Sequence, residues 1–219
     1  MNVKPAKSAP QRIVLQGRFV RLEPIEKRHA PDLFAIAQRE GEVERFRWLL
    51  SEAPGSVAEI ENWIATNDAG PDRYVAIVDN RTGRAVGRQG WLRIFPHHAS
   101  IEIGGVYWGP AMARTPLATE ALYLFARHAF DDLGYRRFEW KCNDRNEASK
   151  AAALRFGFTP EGLFRQDMIV KNESRDTAWF SIIHSEWPAL RAEYERWLSP
   201  GNFDPEGRQK TKLAARRES

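Results

Sequence analysis

The stretch that decides the fold is Ser100–Leu133, SIEIGGVYWGPAMARTPLATEALYLFARHAFDDL. Its first nine residues alternate, with Ile101 and Ile103 on one face and Glu102 on the other, which is typical of a half-buried strand. From Leu117 onward, apolar residues recur with the spacing of one helix face. The stretch therefore predicts a strand, a short loop and a long helix.

A glycine pair, Gly104-Gly105, interrupts this strand. Two adjacent glycines indicate a β-bulge, or a place where another backbone or a ligand comes close. The following loop, residues 109–116, opens onto the N-terminus of the helix. Helix N-termini attract anions because their first N–H groups are free and the dipole is positive there, and Arg114 adds charge. The junction is therefore a candidate anion site, although most strand–loop–helix junctions bind nothing.

Length and composition exclude several classes of protein. A chain of 219 residues with 42% hydrophobic residues suffices for one large domain or two small ones. Its single cysteine, Cys142, excludes an internal disulfide framework and indicates a reducing cytoplasm. No apolar run is long enough to span a bilayer, and residues 1–12 lack the apolar segment of a secretory signal. No Cys/His cluster has metal-ligand spacing, so we expect no metal and no membrane partner.

The formal net charge is +4, and much of the excess lies near the chain ends. Residues 207–219, GRQKTKLAARRES, carry five basic side chains that could hold RNA or an acidic partner. Such tails are more often solvated and disordered, and no aromatic RNA-binding motif accompanies this one. We therefore rank nucleic-acid binding last among the functions considered.

The remaining periodicities predict the element order β-α-α-β-β-β-α-β-α-β-β-α. The hairpins impose antiparallel neighbours, whereas the crossover near residues 100–142 favours parallel pairing, so a mixed sheet is expected. This pattern predicts one α+β domain over residues 12–200. Residues 1–11 and the basic tail, residues 201–219, are expected to be disordered.

Several fragments resemble the GNAT N-acetyltransferase superfamily, in particular its ribosomal-protein N-acetyltransferase (Rim-type) branch. The resemblance covers roughly residues 13–198. The fragments are Gly17–Pro24 (GRFVRLEP), Glu102–Gly104 (EIG), Ala118–Ala121 (ATEA), Asn146–Ser149 (NEAS) and Leu154–Gly162 (LRFGFTPEG).

The resemblance implies a GNAT acyl-CoA N-acyltransferase fold with a splayed central strand pair. It also implies transfer of an acetyl group from acetyl-CoA to a primary amine by direct attack in a ternary complex. The acceptor would be a protein N-terminal amine or a small-molecule amine. The family and an aromatic-rich surface favour a homodimer, and a cytoplasmic location is the default expectation. Residues 25–66 and 164–177 would build the acceptor pocket. A tryptophan near the slot, Trp48, Trp91 or Trp108, could stack on a flat substrate.

The same resemblance assigns residues to acetyl-CoA. Val106 and Trp108 would supply main-chain groups to the pantetheine arm, which can pair like a short extra strand. The pyrophosphate would lie at the helix mouth, on Arg114, Thr115, Leu117, Ala118 and Thr119. The family's phosphate loop is usually Q/R-x-x-G-x-G/A. This chain departs from it, with Ala113 in the first position and Pro116, which lacks an N–H, in place of the glycine.

Acetyl transfer needs a neutral amine, a donor to the developing oxyanion and a proton for the leaving thiolate. Glu102 is the candidate general base because it lies beside the predicted bulge. A glutamate on the strand surface, or one in a salt bridge, would show the same sequence pattern. A backbone N–H near Val106 would serve the oxyanion. Weaker alternatives for the base are Glu139, Glu161 and Asp167.

By the family branch, Ser149 would donate a proton or hydrogen bond to the sulfur, and Asn146 would contact the pantetheine arm. A purely local explanation is also open, because Asn146 can cap the next helix and Ser149 can bond the backbone. Two alternative functions remain: a catalytically silent GNAT-fold protein that binds CoA, and an RNA-associated protein that uses the basic tail.

Overall fold

The computed structural model describes residues 4–215, which form a mixed fold of helices and mostly antiparallel strands. The chain divides into two compact units. Residues 9–94 and 102–124 form one, here called the N-terminal unit. The described residues 4–8, 95–101 and 125–215 form the other, the C-terminal unit.

The predicted element order is confirmed, with two short elements added. The strands are β1 Leu15–Gln16, β2 Val20–Pro24, β3 Arg73–Asp79, β4 Ala85–Phe95, β5 Ser100–Trp108, β6 Arg137–Asn143, β7 Thr159–Val170 and β8 Glu173–Ile183. The helices are α1 Ala30–Ala37, α2 Glu42–Arg45, α3 Val57–Asp68, α4 Pro116–Arg127, α5 Glu147–Arg155 and α6 Trp187–Leu198. A π-helical turn, His128–Asp132, follows α4 directly. The added elements, β1 and α2, are too short to show a period in the sequence.

In the N-terminal unit, β1, β2, β3 and β4 pair antiparallel in that order. Helices α1 and α3 supply Leu33, Ile60 and Ile64 to a core that also contains Ala76 and Val78 of β3. Helix α3 begins at Val57, directly after Ser56, whose side chain accepts a hydrogen bond from the backbone of Glu59. Apolar periodicity and capping therefore agree in this unit.

One buried carboxylate connects α4 to the turn between β1 and β2. Glu120, 5% exposed, accepts backbone hydrogen bonds from Arg18 (2.9 Å), Phe19 (2.6 Å) and Val20 (2.8 Å). A Cβ atom at Gly17 would lie 2.5 Å from Glu120 Oε2, so the turn can approach the carboxylate only with glycine there. These contacts fix the first turns of α4 against the edge of the sheet.

In the C-terminal unit, β8 pairs antiparallel with both β6 and β7. Its core is aromatic: Phe138 of β6 lies 5.7 Å from Phe158, and Phe130 stacks on Trp187 at 5.2 Å between ring centroids. Helix α5 begins at the predicted cap, since the Asn146 side chain accepts from the backbone of Ser149. The sequence therefore placed this helix start correctly.

The described parts of the two end segments differ from the predicted disorder. The backbone of Ala6 donates to Pro96 O (2.9 Å), and that of Lys7 donates to Leu133 O (2.8 Å). Near the other end, Thr211 N donates to Asn202 Oδ1 (3.0 Å), and Ala215 is 2% exposed. These segments are held by backbone hydrogen bonds, which a polar composition does not reveal. Residues 1–3 and 216–219 lie outside the described part.

We predict that Glu120→Gln lowers the free energy of unfolding by about 2–4 kcal/mol. The amide would set its NH₂ group against a backbone donor, and hydrogen bonds to a charged group contribute about 1.5–3 kcal/mol each. Urea denaturation measures the change. Glu40→Gln is the matched control because Glu40 is exposed, and it should change stability by less than about 0.5 kcal/mol. Equal unfolding midpoints for the two variants would contradict the prediction.

Candidate functional site

A cavity of about 210 Å³ lies in the N-terminal unit. Its apolar lining residues are Leu33, Phe46, Ala53, Pro54, Ile60 and Trp63. Its polar lining residues are Ser51, Glu52, Glu59, Arg88 and Tyr107. The lining residues from the helical region all fall within the segment 25–66 that we expected to build an acceptor pocket. The tryptophan that lines the cavity is Trp63, not one of the three that the sequence suggested.

Arg88 of β4 is the cation of this cavity, and it is only 7% exposed. Its Nη1 donates to the carbonyl of Gly105 and its Nη2 to the hydroxyl of Ser51, both at 3.2 Å. The guanidinium carbon lies 3.9 Å from the ring centroid of Trp63. Burial lowers the pKa of Arg88 to about 10, so the side chain is still charged at neutral pH. Arg88 is thus a buried cation whose partners are neutral.

Tyr107 of β5 forms another part of the cavity wall. Its hydroxyl donates to Glu42 Oε2 at 2.8 Å, and Glu42 also pairs with Arg45 at 3.0 Å. Burial, followed by the hydrogen bond to Glu42, raises the pKa of Tyr107 well above its ordinary value. Tyr107 therefore remains a neutral donor with its ring fixed against the cavity.

The glycine pair of β5 has the irregular backbone that the sequence indicated. Gly105 has φ +57°, and a Cβ atom there would lie 2.5 Å from Cε1 of Tyr74. The group that approaches closely is therefore the Tyr74 ring, packed where a side chain would otherwise be. The left-handed backbone turns the Gly105 carbonyl to Arg88.

Glu102 precedes this pair and is 7% exposed. One carboxylate oxygen lies 3.8 Å from Nε of Arg93, and the other would lie 3.0 Å from a Cβ atom built at Gly104. Burial raises the pKa of Tyr74, and the charge of Glu102 contributes in the same direction. A buried carboxylate thus lies beside the irregular part of β5, as the sequence predicted for the candidate base.

Helix α4 begins at Pro116, the position in a helix where proline fits best because the first N–H has no partner in the helix in any case. The next N–H groups belong to Leu117, Ala118 and Thr119, and first-turn N–H groups point outward from a helix N-terminus. Replacing the family's glycine by Pro116 therefore removes an N–H group that would have no partner within the helix. Arg114 is exposed just before it.

Two side chains near this mouth already have partners. Thr115 donates its hydroxyl proton to Met112 O at 3.0 Å. Trp108 donates from Nε1 to Gln89 Oε1 at 2.9 Å, and the amide of Gln89 donates to Ala121 O at 3.2 Å. These bonds connect β5, β4 and α4. The role expected of the main chain of Val106 and Trp108 stays a prediction.

The candidate site residues fall into both units. Glu102, Val106, Trp108 and the residues from Arg114 to Thr119 belong to the N-terminal unit, whereas Asn146 and Ser149 belong to the C-terminal unit. Asn146 caps α5, as the local explanation required. Ser149 Oγ accepts a hydrogen bond from Trp140 Nε1 at 3.0 Å, so its own proton is directed elsewhere.

The weaker candidates for the general base include two carboxylates committed to ion pairs. Burial raises the pKa of Glu139, but hydrogen bonds from Arg137 and Lys141 outweigh it and the net shift is downward. The hydrogen bond from Arg137 lowers the pKa of Glu161. A carboxylate with a lowered pKa is a weaker base, so both residues serve the structure better than proton transfer.

Arg88 is a cavity residue that the sequence did not predict. The available signal was a single charge within AVGRQGW, a strand segment from Ala85 to Trp91 whose other polar side chain is Gln89. A charged residue within a buried strand usually has a structural or functional role, because burying a charge is costly. That signal does not reveal the cavity, which depends on helices far away in sequence.

Comparisons with known proteins agree with this architecture. A family model described as an acetyltransferase (GNAT) domain matches residues 20–159. The chain is similar to a GCN5-related N-acetyltransferase from Brucella melitensis, with 47% identity, a TM-score of 0.93 and coverage of 97% of this chain and 96% of that one. It is also similar to a probable acetyltransferase of the GNAT family from Chromobacterium violaceum ATCC 12472, with 38% identity, a TM-score of 0.78 and coverage of 85% and 93%.

A RimL ribosomal alpha-N-protein acetyltransferase shares the fold at 20% identity, with a TM-score of 0.68 and coverage of 78% of this chain and 94% of that one. A comparison with curated protein sequences found no match.

Within residues 4–215, no helix has the length and apolar character needed to cross a bilayer. Over the same residues, no group of three or more His, Cys, Asp or Glu side chains is arranged to hold a metal ion. The chain belongs to the GNAT acetyltransferase family and is an acetyl-CoA-dependent acyltransferase.

Proposed function

We propose that the enzyme transfers an acetyl group from acetyl-CoA to a primary amine that lies in the cavity of the N-terminal unit, by direct attack in a ternary complex. The observation that best supports this proposal is the position of the cavity on β5. Tyr107 forms part of its wall, and the carbonyl of Gly105 is bonded to the cavity residue Arg88. An amine in this cavity would lie next to the strand assigned to the thioester.

The residues present fit the acetyl-CoA substrate, which brings the activated acetyl group. The N–H groups of Leu117, Ala118 and Thr119 lie in the first turn of α4, where a pyrophosphate would bind, and Arg114 and Thr115 directly precede the helix. The main chain of Val106 and Trp108 would pair with the pantetheine arm, and Asn146 would contact the same arm. The splayed strand pair that would admit the thioester stays a prediction.

Glu102 is the proposed general base, because it is buried beside the irregular part of β5. It would take a proton from the amine, directly or through a water molecule, and free the lone pair for attack on the thioester carbonyl carbon. A backbone N–H near Val106 would stabilise the charge that develops on the carbonyl oxygen. As the new C–N bond forms and the C–S bond breaks, Ser149 would donate a proton or hydrogen bond to the sulfur.

The acceptor class remains a protein N-terminal amine or a small-molecule amine. The RimL neighbour shows the fold alone, so membership in the ribosomal-protein branch stays a prediction, as do the cytoplasmic location and the homodimer.

The RNA-binding alternative is weakened by contacts within the described part of the tail. Arg208 pairs with Asp204 at 2.9 Å and with Glu206 at 3.1 Å, and Lys210 donates to Gly201 O at 3.0 Å.

We predict that acetyl-CoA raises the thermal unfolding midpoint and that the protein forms N-acetylated product from at least one member of a panel of peptide and small-molecule amines. A ligand that binds only the folded state must stabilise it. Differential scanning fluorimetry and mass spectrometry give the two readouts. A raised midpoint without any product would favour the silent CoA-binding alternative, and the absence of both would refute the proposal.

We predict that Arg114→Ala weakens acetyl-CoA binding and that the loss shrinks at high salt, as expected for an exposed contact with phosphate. Isothermal titration calorimetry at two ionic strengths measures both effects. The matched control is Arg81→Ala, which removes an exposed arginine from the β3–β4 turn and should bind acetyl-CoA normally. Equal affinities for Arg114→Ala and the wild type would remove Arg114 from the site.

We predict that Ser149→Ala lowers kcat more than it changes the affinity for acetyl-CoA, because the proposed bond to sulfur strengthens as the thiolate leaves. Ser185→Ala, an exposed serine of the same unit outside the expected acceptor pocket, serves as the control. Steady-state kinetics give kcat, and calorimetry gives the affinity. An unchanged rate at saturating substrates would discard the role of Ser149.

A further inference from the structure

We propose that the cavity of the N-terminal unit binds a carboxylate group of the acceptor, with Arg88 as its counter-cation. This inference rests on the proposed function only where it identifies the bound molecule as the acetyl acceptor. It narrows the substrate class from amines in general to small amines that carry one carboxylate and an apolar body.

The first support is a buried charge whose partners are neutral. Arg88 is 7% exposed, and its hydrogen-bond partners are a carbonyl, that of Gly105, and a hydroxyl, that of Ser51. Across the described residues, 4–215, it makes no ion pair with a carboxylate. Burying a charge without an opposite charge is costly, and the lowered pKa of Arg88 reflects that cost. A bound anion would offset it.

The second support is the donor count. A guanidinium has five N–H donors, of which two serve Gly105 and Ser51. The Trp63 ring stacks against the guanidinium at 3.9 Å and leaves its edge for hydrogen bonds. The planar fork of an arginine matches the two oxygens of a carboxylate. Three donors on a residue that lines a cavity are thus available for a ligand.

The third support is the balance of charge in the cavity. The other ionisable lining residues are Glu52, Glu59 and Tyr107. Tyr107 stays neutral, since its pKa is raised, and Glu59 accepts from the backbone of Gly55 at 2.9 Å. Because Glu52 and Glu59 line the cavity as well, an anion is attracted by direct contact with Arg88 and not by an excess of positive charge. The two carboxylates repel a phosphate group, which carries about −1.5 to −2 charge at pH 7, more strongly than a carboxylate with a single charge. The charge balance therefore favours a carboxylate over a phosphate.

The apolar walls indicate the rest of the ligand. Phe46, Ile60 and Trp63 line the same cavity as Arg88, and a volume of about 210 Å³ is smaller than most drug-sized pockets. A compact aromatic or aliphatic body would contact these side chains while its carboxylate lies on Arg88. Because the cavity reaches Tyr107 on β5, an amine a few bonds away from the carboxylate would extend toward that strand.

A binding experiment tests the site without requiring acetyl transfer. We expect 3-phenylpropionate to raise the unfolding midpoint, and its uncharged analogue 3-phenylpropanamide to bind about 10- to 100-fold more weakly, as expected for loss of a hydrogen bond to a charged group. Arg88→Met should abolish the difference between the two ligands, and Arg88→Lys should retain part of it. Arg73→Met is the control: Arg73, on β3, also donates to a carbonyl, that of Gly70. It should bind both ligands as the wild type does.

Equal binding of acid and amide by the wild type would overturn the inference, as would a preference that survives in Arg88→Met. Tighter binding of 2-phenylethylphosphonate than of 3-phenylpropionate would contradict the assignment of a carboxylate. If Arg88→Met does not fold, Arg88→Lys and the wild-type comparison of the ligands still decide the matter.

A kinetic experiment connects the site to the reaction. With acetyl-CoA, we expect kcat/KM for L-phenylalanine to exceed that for L-phenylalaninamide about 10- to 100-fold, and the ratio to fall to about 1 in Arg88→Met. Activity on other amines combined with no preference for the acid would leave the proposed function intact and refute the carboxylate site. Preferential binding of 3-phenylpropionate with no acetylation of any amine would support the carboxylate site and refute the proposed function.

Discussion

Three backbone N–H groups converge on one buried carboxylate, that of Glu120, and the rest of the N-terminal unit depends on where this contact places α4. The contact ties the helix to the turn before β2, and the bond from Gln89 to Ala121 ties it to β4. Together, these two contacts fix the first turn of α4 beside the end of β5. A helix N-terminus can bind an anion reproducibly only if its position is fixed in this way.

The second constraint is the charge of Arg88, which the fold buries among neutral groups. A stable protein usually pairs a buried charge, because the desolvation cost otherwise subtracts from a small net stability. Stacking on Trp63 and the bond to Gly105 lessen that cost without removing the charge. A residue maintained at such a cost is typical of a binding site, and here it adjoins the strand proposed to hold the thioester.

The sequence was sufficient to predict the order of the regular elements, since periodicity and helix caps such as Ser56 and Asn146 are local signals. It also located the irregular part of β5 at the pair Gly104-Gly105, of which Gly105 has the positive φ. It did not predict the contacts that bury Arg88, because these join β4 to Ser51, Trp63 and Gly105, which only the folded chain brings close. The same limit explains the described residues of the C-terminal tail, whose backbone bonds to Asn202 leave no trace in composition.

The most direct test of the assigned site is a crystal structure of the protein with both CoA and 3-phenylpropionate bound. We predict that the pyrophosphate lies on the N–H groups of Leu117, Ala118 and Thr119, and that the carboxylate lies within hydrogen-bond distance of Arg88. A pyrophosphate bound away from the N-terminus of α4, or a carboxylate bound outside the cavity, would contradict the placement of both substrates.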